Sequence, residues 1–443
     1  MALITNAIKG TLDTLPSSSY KIQYIEAAMR EIAENYGFYE MRTPVFEHTE
    51  LFQRSVGETT DVVQKEMYTF KDKGDRSITL KPEGTAGAVR AFLEHGLFNE
   101  AMPQKVYYVT PCYRYEKPQA GRLREFHQFG VECFGAGSAA QDAEIILLAN
   151  EVFNYLGVNN ISLEINSIGC PECRKKYQEA LKEYFKANYD ALCDTCKGRL
   201  EKNPMRILDC KSPVCSKIAE NAPKILDYLC EACNEHFELV KKYLTANNID
   251  FKVNPTIVRG LDYYTRTVFE FVSNEIGAQG TVCGGGRYDG LVEEMGGKPT
   301  PACGIERLML LMDTQKTEFP ERKKCDLYIA SMGEQANIKA SALATDLRNE
   351  GLSAQFDTVG RSVKAQMKYA DKIGALYTVV LGDSELESGR AVLKNMSDGT
   401  QAEIELADFT DNFQSIVIKQ AMDSLDGYGI EGLEITDILG GQN

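Results

Sequence analysis

The sequence contains no uninterrupted run of about 18 apolar residues, the length that a helix needs to cross a bilayer. Its opening residues, M-A-L-I-T-N-A-I-K-G, are too polar to form the apolar centre of a secretory signal. Both absences argue against a membrane or secreted protein and predict a cytoplasmic one. In that reducing compartment the 13 cysteines are expected to be free thiols or metal ligands, because a disulfide framework would not persist.

An excess of positive charge is missing as well. The chain has 64 acidic and 49 basic residues, which gives a formal net charge of −15. That balance predicts no general affinity for polyanions, so any contact with nucleic acid must use local basic patches and weaken as salt is added. Net charge therefore neither supports nor opposes a function in nucleic-acid binding.

Internal repeats are also absent, and the 443 residues, 43% of them hydrophobic, predict a globular chain of two or three domains. The pattern indicates an α+β fold whose first domain is built on a largely antiparallel sheet. A helical insertion with eight of the 13 cysteines interrupts this domain, and a final βαβαβ pattern predicts a separate α/β domain. The predicted boundaries are 1–169 and 251–322 for the first domain, 170–250 for the insertion, 325–410 for the α/β domain, and 411–443 for a helix and an acidic tail.

Polar residues are concentrated in three separated segments of β-prone sequence. The first, L-K-P-E-G-T-A-G, places Glu83, Gly84 and Thr85 between a strand and a helix. A carboxylate, a hydroxyl and free amides at a helix start can hold an ammonium group and a nearby anion. A capped helix start that binds no ligand is the commoner explanation of such a sequence.

The second segment is a predicted hairpin with a long basic tip. Alternation along its strands puts Arg114 and Glu116 on one face, and Phe126, Gln128 and Glu132 together on the return strand. If the two faces coincide, adenine can stack on Phe126 while Arg114 meets a phosphate. A solvated polar face, which is common in antiparallel sheets, is the alternative.

The third segment combines V-R-G-L-D-Y-Y, the start of a predicted strand over 258–272, with V-C-G-G-G-R-Y-D-G-L and A-C-G-I-E-R-L. A core strand has no ordinary use for Arg259 beside Tyr263 and Tyr264. The three glycines allow close approach of a ligand, or equally a bulge. A helix is predicted to begin near Ile305 and to present Arg307 to an anion, with a surface salt bridge as the alternative.

Taken together, these segments resemble the class II aminoacyl-tRNA synthetases, and specifically the bacterial histidyl-tRNA synthetase family. The motifs R-G-L-D-Y-Y and G-G-G-R-Y-D-G-L carry the resemblance, with K-G-T-L-D-T-L-P and G-R-S-V-K-A-Q-M-K-Y-A-D-K at either end. The resemblance implies an antiparallel-sheet catalytic core with a helical insertion that clasps the tRNA acceptor stem, and a C-terminal α/β anticodon-binding domain. It also implies a homodimer that uses ATP and Mg²⁺ to join L-histidine to the 3′ end of tRNA(His) through a histidyl adenylate.

Site residues follow from the resemblance position by position. Arg114 and Arg259 would be the catalytic cations at the α-phosphate, and Glu132 and Tyr264 would bind the two imidazole nitrogens. The implied ATP site consists of Arg114, Glu116, Phe126 and Arg307. The implied histidine site consists of Glu83, Gly84, Thr85, Arg114, Gln128, Glu132, Arg259, Tyr263 and Tyr264.

The cysteines of the insertion form C-x-x-C pairs, which are typical of structural zinc sites. The candidate ligands are Cys170, Cys173, Cys193, Cys196, Cys230 and Cys233. Cys210 and Cys215 form a further, wider-spaced pair. The resemblance does not require zinc, so reduced thiols without a metal are the alternative, and the spacing leaves the partners of each pair open.

Two departures from the family pattern bear on activity. Lys117 stands where the family usually has an arginine, which is the better partner for phosphate. P-T-P-A-C-G-I-E-R-L is shorter than its counterpart, so Arg307 could be displaced and ATP binding weakened. A catalytically silent histidine sensor of the same ancestry is the alternative function, although both histidine motifs are intact and favour the enzyme.

Overall fold

The structure is a computed structural model that describes residues 5–57, 60, 62–118, 122–210, 212–259, 261–273, 280–308, 319 and 324–426, without the side chains of 306–308 and 421–426. The chain divides into two compact units, Met1–Pro320 and Glu321–Asn443. In the described part, no helix has both the length and the apolar character required to span a membrane.

The first unit is built on an eight-stranded sheet with the order β1-β5-β6-β11-β10-β9-β7-β8, beside a small sheet of order β2-β4-β3. Its strands are β1 Tyr39–Glu40, β2 Phe46–His48, β3 Tyr68–Lys71, β4 Ser77–Leu80, β5 Gln104–Tyr113, β6 Glu125–Phe134, β7 Ile161–Ser167, β8 Phe251–Val253, β9 Thr265–Ser273, β10 Thr281–Arg287 and β11 Ala302–Leu308. The outer pairs β1–β5 and β7–β8 are parallel, and the pairs between them are antiparallel. The predicted α+β class with a largely antiparallel core is therefore confirmed.

The helices of this unit are α1 Ser19–Asn35, α2 Thr49–Val56, α3 Thr85–Glu94, α4 Ala139–Tyr155, α5 Pro171–Lys186, α6 Asp194–Lys202, α7 Pro213–Ala219, α8 Glu231–Ala246 and α9 Leu291–Glu294. α1, α4 and α8 pack on one face of the large sheet, and α3 packs on the other. The predicted helix over 20–36 is present as α1, and Gly37 follows it with a φ of +78°. α1 buries Ile25, Ala28, Met29 and Ile32, the spacing of a single helical face.

Strand alternation separates a core face from a polar face on β6. Phe129, Val131 and Cys133 are buried in the cluster that α1, α4 and α8 cover. Gln128 and Glu132 point to the opposite face. The predicted alternation is thus present, and the β5–β6 hairpin pairs Thr110 with Gln128 and Cys112 with Phe126.

Two local predictions were wrong. Strand β9 begins at Thr265 rather than at Val258, and the described residues of 258–264 are irregular. Tyr263 and Tyr264 are both buried, which a half-buried strand cannot achieve for consecutive side chains. Instead of a helix near Ile305, β11 continues to Leu308, because its residues up to Ile305 pair with β6 and its residues from Cys303 to Leu308 pair with β10.

The second unit contains a five-stranded mixed sheet of order β13-β12-β14-β15-β16. Its elements are β12 Leu327–Ser331, α10 Glu334–Asn349, β13 Ala354–Phe356, α11 Val363–Lys372, β14 Tyr377–Leu381, α12 Asp383–Ser388, β15 Arg390–Asn395, β16 Gln401–Glu405 and α13 Phe409–Asp426. The first three strands are the predicted βαβαβ pattern and run parallel, whereas β15 and β16 are antiparallel additions that were not predicted. The predicted acidic tail lies outside the described residues.

Candidate active site

The polar face of the large sheet is centred on the carboxyl group of Glu132, which is fully buried. Tyr108 donates a hydrogen bond of 2.8 Å to its Oε1, and Tyr288 donates to its Oε2. Burial raises the pKa of Glu132 to about 8, although hydrogen bonds from Tyr288, Thr85 and Tyr108 act in the opposite direction. A side chain at position 304 would collide with this carboxyl group, so Gly304 is needed for the close approach.

The two phenols that fix Glu132 were not among the predicted site residues. Tyr108 projects from β5 between two glycines, and Tyr288 directly follows β10 in the G-G-G-R-Y-D-G-L motif. Burial and the neighbouring Glu132 raise the pKa of both phenols well above its ordinary value, so both remain donors at neutral pH. The motif itself was a signal for Tyr288, whereas nothing local marked Tyr108.

The first polar segment lies beside this centre at the start of α3. Glu83 is fully buried and accepts hydrogen bonds from the backbone N–H groups of Thr85 at 2.7 Å and Ala86 at 2.9 Å. The expected helix cap is therefore present. Gly84 N–H donates to Oε1 of Gln128 at 3.1 Å, and among the described residues Nε2 of Gln128 is buried without a hydrogen-bond partner. The pocket thus contains an amide donor that a bound acceptor can use.

The hairpin contributes a buried cation next to an aromatic ring. Nε of Arg114 donates to the carbonyl of Pro82 at 2.8 Å, and its guanidinium lies 5.6 Å from the centre of the Phe126 ring. Glu116 accepts a hydrogen bond of 2.8 Å from Arg122 of the hairpin tip. Arg114 and Phe126 are therefore adjacent, which is the arrangement expected if the two faces coincide.

A second buried cation, Arg259, enters the site from the irregular segment before β9. Its Nη1 lies 2.5 Å from Oε1 of Glu270 on β9, and its guanidinium lies 5.6 Å from the centre of the Tyr264 ring. A Cβ atom at Gly284 would collide with this guanidinium, so the glycine run makes room for it. The alternative of a bulge is present too, because the β10–β11 register shifts between Gly284 and Gly285.

An aromatic cluster joins the two histidine motifs. The ring centres of Tyr263 and Tyr264 are 4.7 Å apart, and those of Tyr263 and Tyr288 are 5.5 Å apart. Because Tyr288 also donates to Glu132, R-G-L-D-Y-Y and G-G-G-R-Y-D-G-L form one connected group. Arg307 lies opposite Gly284 in β11 by its backbone, and its side chain lies outside the described residues.

Behind the site, a fully buried arginine anchors the end of β10. Arg287 is paired with Asp142 of α4 at 2.5 Å and with Asp289 at 2.8 Å, and His236 of α8 lies 2.7 Å from the same Asp142. Burial opposes ionisation of Asp142, but His236 and Arg287 outweigh it and hold the pKa of Asp142 below its ordinary value. This group was not predicted, and it fixes the residue that precedes Tyr288.

Substitution Asp142→Asn should lower the free energy of unfolding by about 3 kcal/mol, because it leaves a buried guanidinium without its main carboxylate. Urea unfolding followed by circular dichroism would measure this as a lower midpoint. The matched control is Glu403→Gln, which removes one of two exposed carboxylates paired with Arg390 and should change the midpoint little. Equal midpoints for the two variants would contradict a structural role for the buried pair.

Eight cysteines of the insertion form two groups among the described residues, each with all ligand atoms within 4.8 Å of one another. The groups are Cys170, Cys173, Cys230 and Cys233, and Cys193, Cys196, Cys210 and Cys215. The sequence had left the partners open, and Cys210 and Cys215 were not among the candidate ligands. None of the 13 cysteines forms a disulfide.

The chain is similar to histidyl-tRNA synthetases both in its sequence and in its structure. A histidyl-tRNA synthetase family model matches residues 10–306, and an anticodon-binding domain model matches residues 326–416. The chain is 58% identical over 417 residues to histidine–tRNA ligase of Clostridium novyi (strain NT), covering 93% of the chain and 99% of that relative. It is 57% identical over 408 residues to the histidine–tRNA ligase of Acetivibrio thermocellus, covering 91% and 98%. The crystal structure of apo S. aureus histidyl-tRNA synthetase is similar with a TM-score of 0.79 and 39% identity, covering 93% of this chain and 100% of that one.

Proposed function

The chain belongs to the histidyl-tRNA synthetase family and charges tRNA(His) with histidine, and from that premise we propose how its residues carry out the reaction. The central observation is that residues from β5, β6, β10 and the segment before β9 meet around Glu132. Class II synthetases activate the amino acid with ATP and Mg²⁺ before transfer to tRNA.

Glu132 and Tyr264 bind the imidazole ring of histidine. A neutral imidazole has one N–H donor and one acceptor nitrogen, so the carboxylate accepts the N–H and the phenol donates to the other nitrogen. The fixed position of Glu132 between Tyr108 and Tyr288 supports this assignment. A side chain that lacks either nitrogen would leave a buried polar group unpaired, which discriminates by about 10⁴-fold.

The backbone end of histidine is held near α3. Gln128, Glu83 and Thr85 form this part of the pocket, as the resemblance implied. In the present geometry, Oε1 of Gln128 is occupied by Gly84 and only its Nε2 donor is available, which suits the substrate carboxylate. Contact of Gln128 with the α-amino group would instead require its amide to turn, so that the oxygen faces the ammonium.

Arg114 and Arg259 make the activation step possible. The histidine carboxylate must attack the α-phosphate in line, and both groups are anionic, so fixed cations are needed to reduce the repulsion and stabilise the charge that develops. Arg114 is held by Pro82, and Arg259 is held by Glu270.

Phe126 provides the stacking surface for adenine, and Glu116 and Arg307 complete the proposed ATP site. Bound Mg²⁺ would supply positive charge to the β- and γ-phosphates and so favour departure of pyrophosphate.

The tRNA contacts are assigned to the insertion and to the second unit. On α11, Lys364, Lys368 and Lys372 are exposed on one face, whereas Gln366 and Ala370 are buried. This face is a local basic patch of the kind that an acidic protein needs for the anticodon stem-loop. The insertion contacts the acceptor stem, and its paired cysteines are proposed to hold structural zinc.

We also propose that the chain forms a homodimer in the cytoplasm. β1 is an edge strand of the large sheet, and Tyr39 on it is 74% exposed. Val45 and Phe46, which follow β1 in the sequence, are 38% and 54% exposed. Apolar side chains at a free strand edge are typical of an interface with a second chain.

Histidine-dependent exchange of pyrophosphate into ATP tests the activation step, and charging of tRNA(His) transcripts tests the transfer step. Both reactions are expected, with exchange independent of tRNA. Exchange that is absent while calorimetry still detects histidine binding would contradict the proposed roles of Arg114 and Arg259 and support a histidine sensor. If ATP binding is lost as well, the cause is instead the shortened segment before Arg307, and the roles of the two arginines are not contradicted.

A further inference from the structure

The insertion donates hydrogen bonds to two residues, Asp262 and Tyr264, of the segment that carries the histidine-binding tyrosines. Arg174 of α5 donates from Nη1 to the backbone carbonyl of Tyr264 at 3.0 Å. Arg206 of the short 3₁₀ turn Pro204–Ile207 donates from Nη2 to Asp262 at 2.9 Å. Asp262 of the R-G-L-D-Y-Y motif therefore faces the insertion, and the carbonyl of its neighbour Tyr264 is fixed from the same side.

Between the insertion and this segment lies a cavity of about 290 Å³, lined in part by Arg174, Arg206, Arg259 and Asp262. Apolar residues of the two parts share one buried cluster, which includes Met205, Leu261 and Tyr264. Beside the cavity, Arg174, Arg206 and Asn203 add polar contacts between them, and Asn203 donates from Nδ2 to Oδ1 of Asp262 at 3.3 Å. The two arginines therefore help to hold Asp262 and Tyr264 in position relative to the rest of the site.

Each of the two arginines lies close in sequence to the cysteines of one group. Arg174 follows Cys173 in the first turn of α5, and this group is completed by Cys230 and Cys233 at the start of α8. The first group thus ties together the two points where the insertion leaves and rejoins the core. The backbone N–H of Cys230 donates to Sγ of Cys173 at 3.1 Å, which links the two pairs directly.

The second group frames the turn that carries Arg206. Cys196 lies in α6 before this turn, and Cys210 and Cys215 follow it. The backbone N–H of Cys193 donates to Sγ of Cys215 at 3.3 Å, and Arg199 of α6 donates to the carbonyl of Arg206 at 3.0 Å. The whole group is local, so it sets the shape of one small lobe rather than joining distant parts of the chain.

The sulfur positions suit a tetrahedral metal ion. Zinc with bonds of about 2.3 Å to four thiolates requires Sγ–Sγ distances of about 3.8 Å. Cys170 and Cys173 have an Sγ–Sγ distance of 3.5 Å, and Cys193 and Cys210 have one of 3.9 Å. A disulfide would need about 2.05 Å. Four cysteines without an open position form a closed, structural type of zinc site.

The lobe around the second group also needs such a support. Its helices α6 and α7 have 9 and 7 residues, a length at which an isolated helix is marginal in water. Between them, the described residues form one short 3₁₀ turn, which carries Arg206. Small lobes of this kind commonly depend on a metal for their fold.

We propose that each four-cysteine group holds one zinc ion, and that the two ions fix Arg174 and Arg206 so that the insertion keeps the tyrosines of R-G-L-D-Y-Y in their histidine-binding positions. This inference rests on the proposed histidine pocket. It gives the insertion a role in amino-acid recognition besides its proposed contact with tRNA. Arg174 and Arg206 are positioning residues, because they act through Tyr264 and Asp262.

The metal part is tested by mass-spectrometric zinc analysis of full-length protein purified with reductant. We expect two zinc ions per chain for the parent protein, and one each for Cys173→Ser and Cys196→Ser. Cys325→Ser is the control, because this buried cysteine of the second unit belongs to neither group. A parent protein that binds no zinc even after incubation with zinc chloride would overturn the proposal.

The positioning part is tested with the cysteines intact, so that misfolding of a cysteine variant cannot obscure the result. Arg174→Ala and Arg206→Ala should keep two zinc ions and raise the KM for histidine in pyrophosphate exchange about tenfold, with a smaller change in kcat. Lys175→Ala on the exposed side of α5 is the matched control and should change neither value. An unchanged histidine KM in both arginine variants would overturn the positioning role. Loss of exchange in the parent protein would instead contradict the proposed function, and the zinc count would still stand.

Discussion

Arg259→Ala is expected to lower kcat for histidine-dependent pyrophosphate exchange by about 10³-fold, the range seen when one preorganised donor to a developing charge is removed. The guanidinium is buried and held by Glu270 at 2.5 Å, so it does not have to be reoriented during the reaction. Its charge matters most when the attacking carboxylate and the α-phosphate approach each other. The effect should therefore appear in kcat more than in the KM for histidine.

Two further variants distinguish the effect of the positive charge of Arg259 from the effect of its hydrogen-bond geometry. Arg259→Lys keeps the charge but loses the planar fork and its contact with Glu270, so activity should be intermediate. Glu270→Gln keeps the arginine and weakens its anchor, and it should cost less than Arg259→Ala. Arg76→Ala, which removes an exposed arginine paired with Asp72, is the control. If Arg259→Ala raised only the KM for histidine, Arg259 would be a binding residue and not a catalytic one.

The site was predictable where a single strand or a contiguous motif carried the signal. The alternation of Phe126, Gln128 and Glu132 follows from the two-residue period of β6, and the structure keeps it. The same reasoning failed at Tyr263 and Tyr264, because β propensity does not distinguish a strand from an irregular segment whose aromatic side chains are buried by other elements. Propensity thus located the motif without giving its conformation.

Residues that act through distant partners could not be found from the sequence. Arg287 sits in a recognised motif, yet its partner Asp142 is 145 positions away on α4. Tyr108 lies on β5 amid other apolar and aromatic residues, and only the pairing of β5 with β6 brings its hydroxyl to Glu132. The cysteine partners were open for the same reason, because the spacing of C-x-x-C pairs does not determine which pairs meet.

In the second unit, too, elements with a strong local pattern were predicted, and elements that depend on their partners were not. Its βαβαβ pattern was visible because each buried strand is short and apolar and each helix has a clear period. β15 and β16 alternate exposed and buried residues toward one side of the sheet, and only β16 is at its edge, so their hydrophobic signal is weaker. Strands of this kind are recognised mainly from their partners.

Glu132→Gln is expected to lower kcat/KM for histidine by about 100-fold, because a hydrogen bond to a carboxylate contributes up to about 3 kcal/mol and the amide is neutral. The same substitution should also change how stability depends on pH. Burial raises the pKa of the Glu132 carboxyl group from its ordinary value of 4.5 to about 8. Between these two values the folded protein keeps a proton that the unfolded chain has lost, so the parent protein loses stability as pH rises through this window.

Glutamine cannot ionise, so the Glu132→Gln variant should escape that loss. Its free energy of unfolding, compared with that of the parent protein, should rise by up to about 1.4 kcal/mol for each pH unit inside the window. Urea unfolding at several pH values between 5 and 9 without histidine would measure the difference. Parallel curves for the two proteins would mean that Glu132 is already ionised in the free enzyme. Curves that diverge as pH rises would mean that the ionised carboxyl group of Glu132, which histidine recognition requires, destabilises the folded protein until histidine binds.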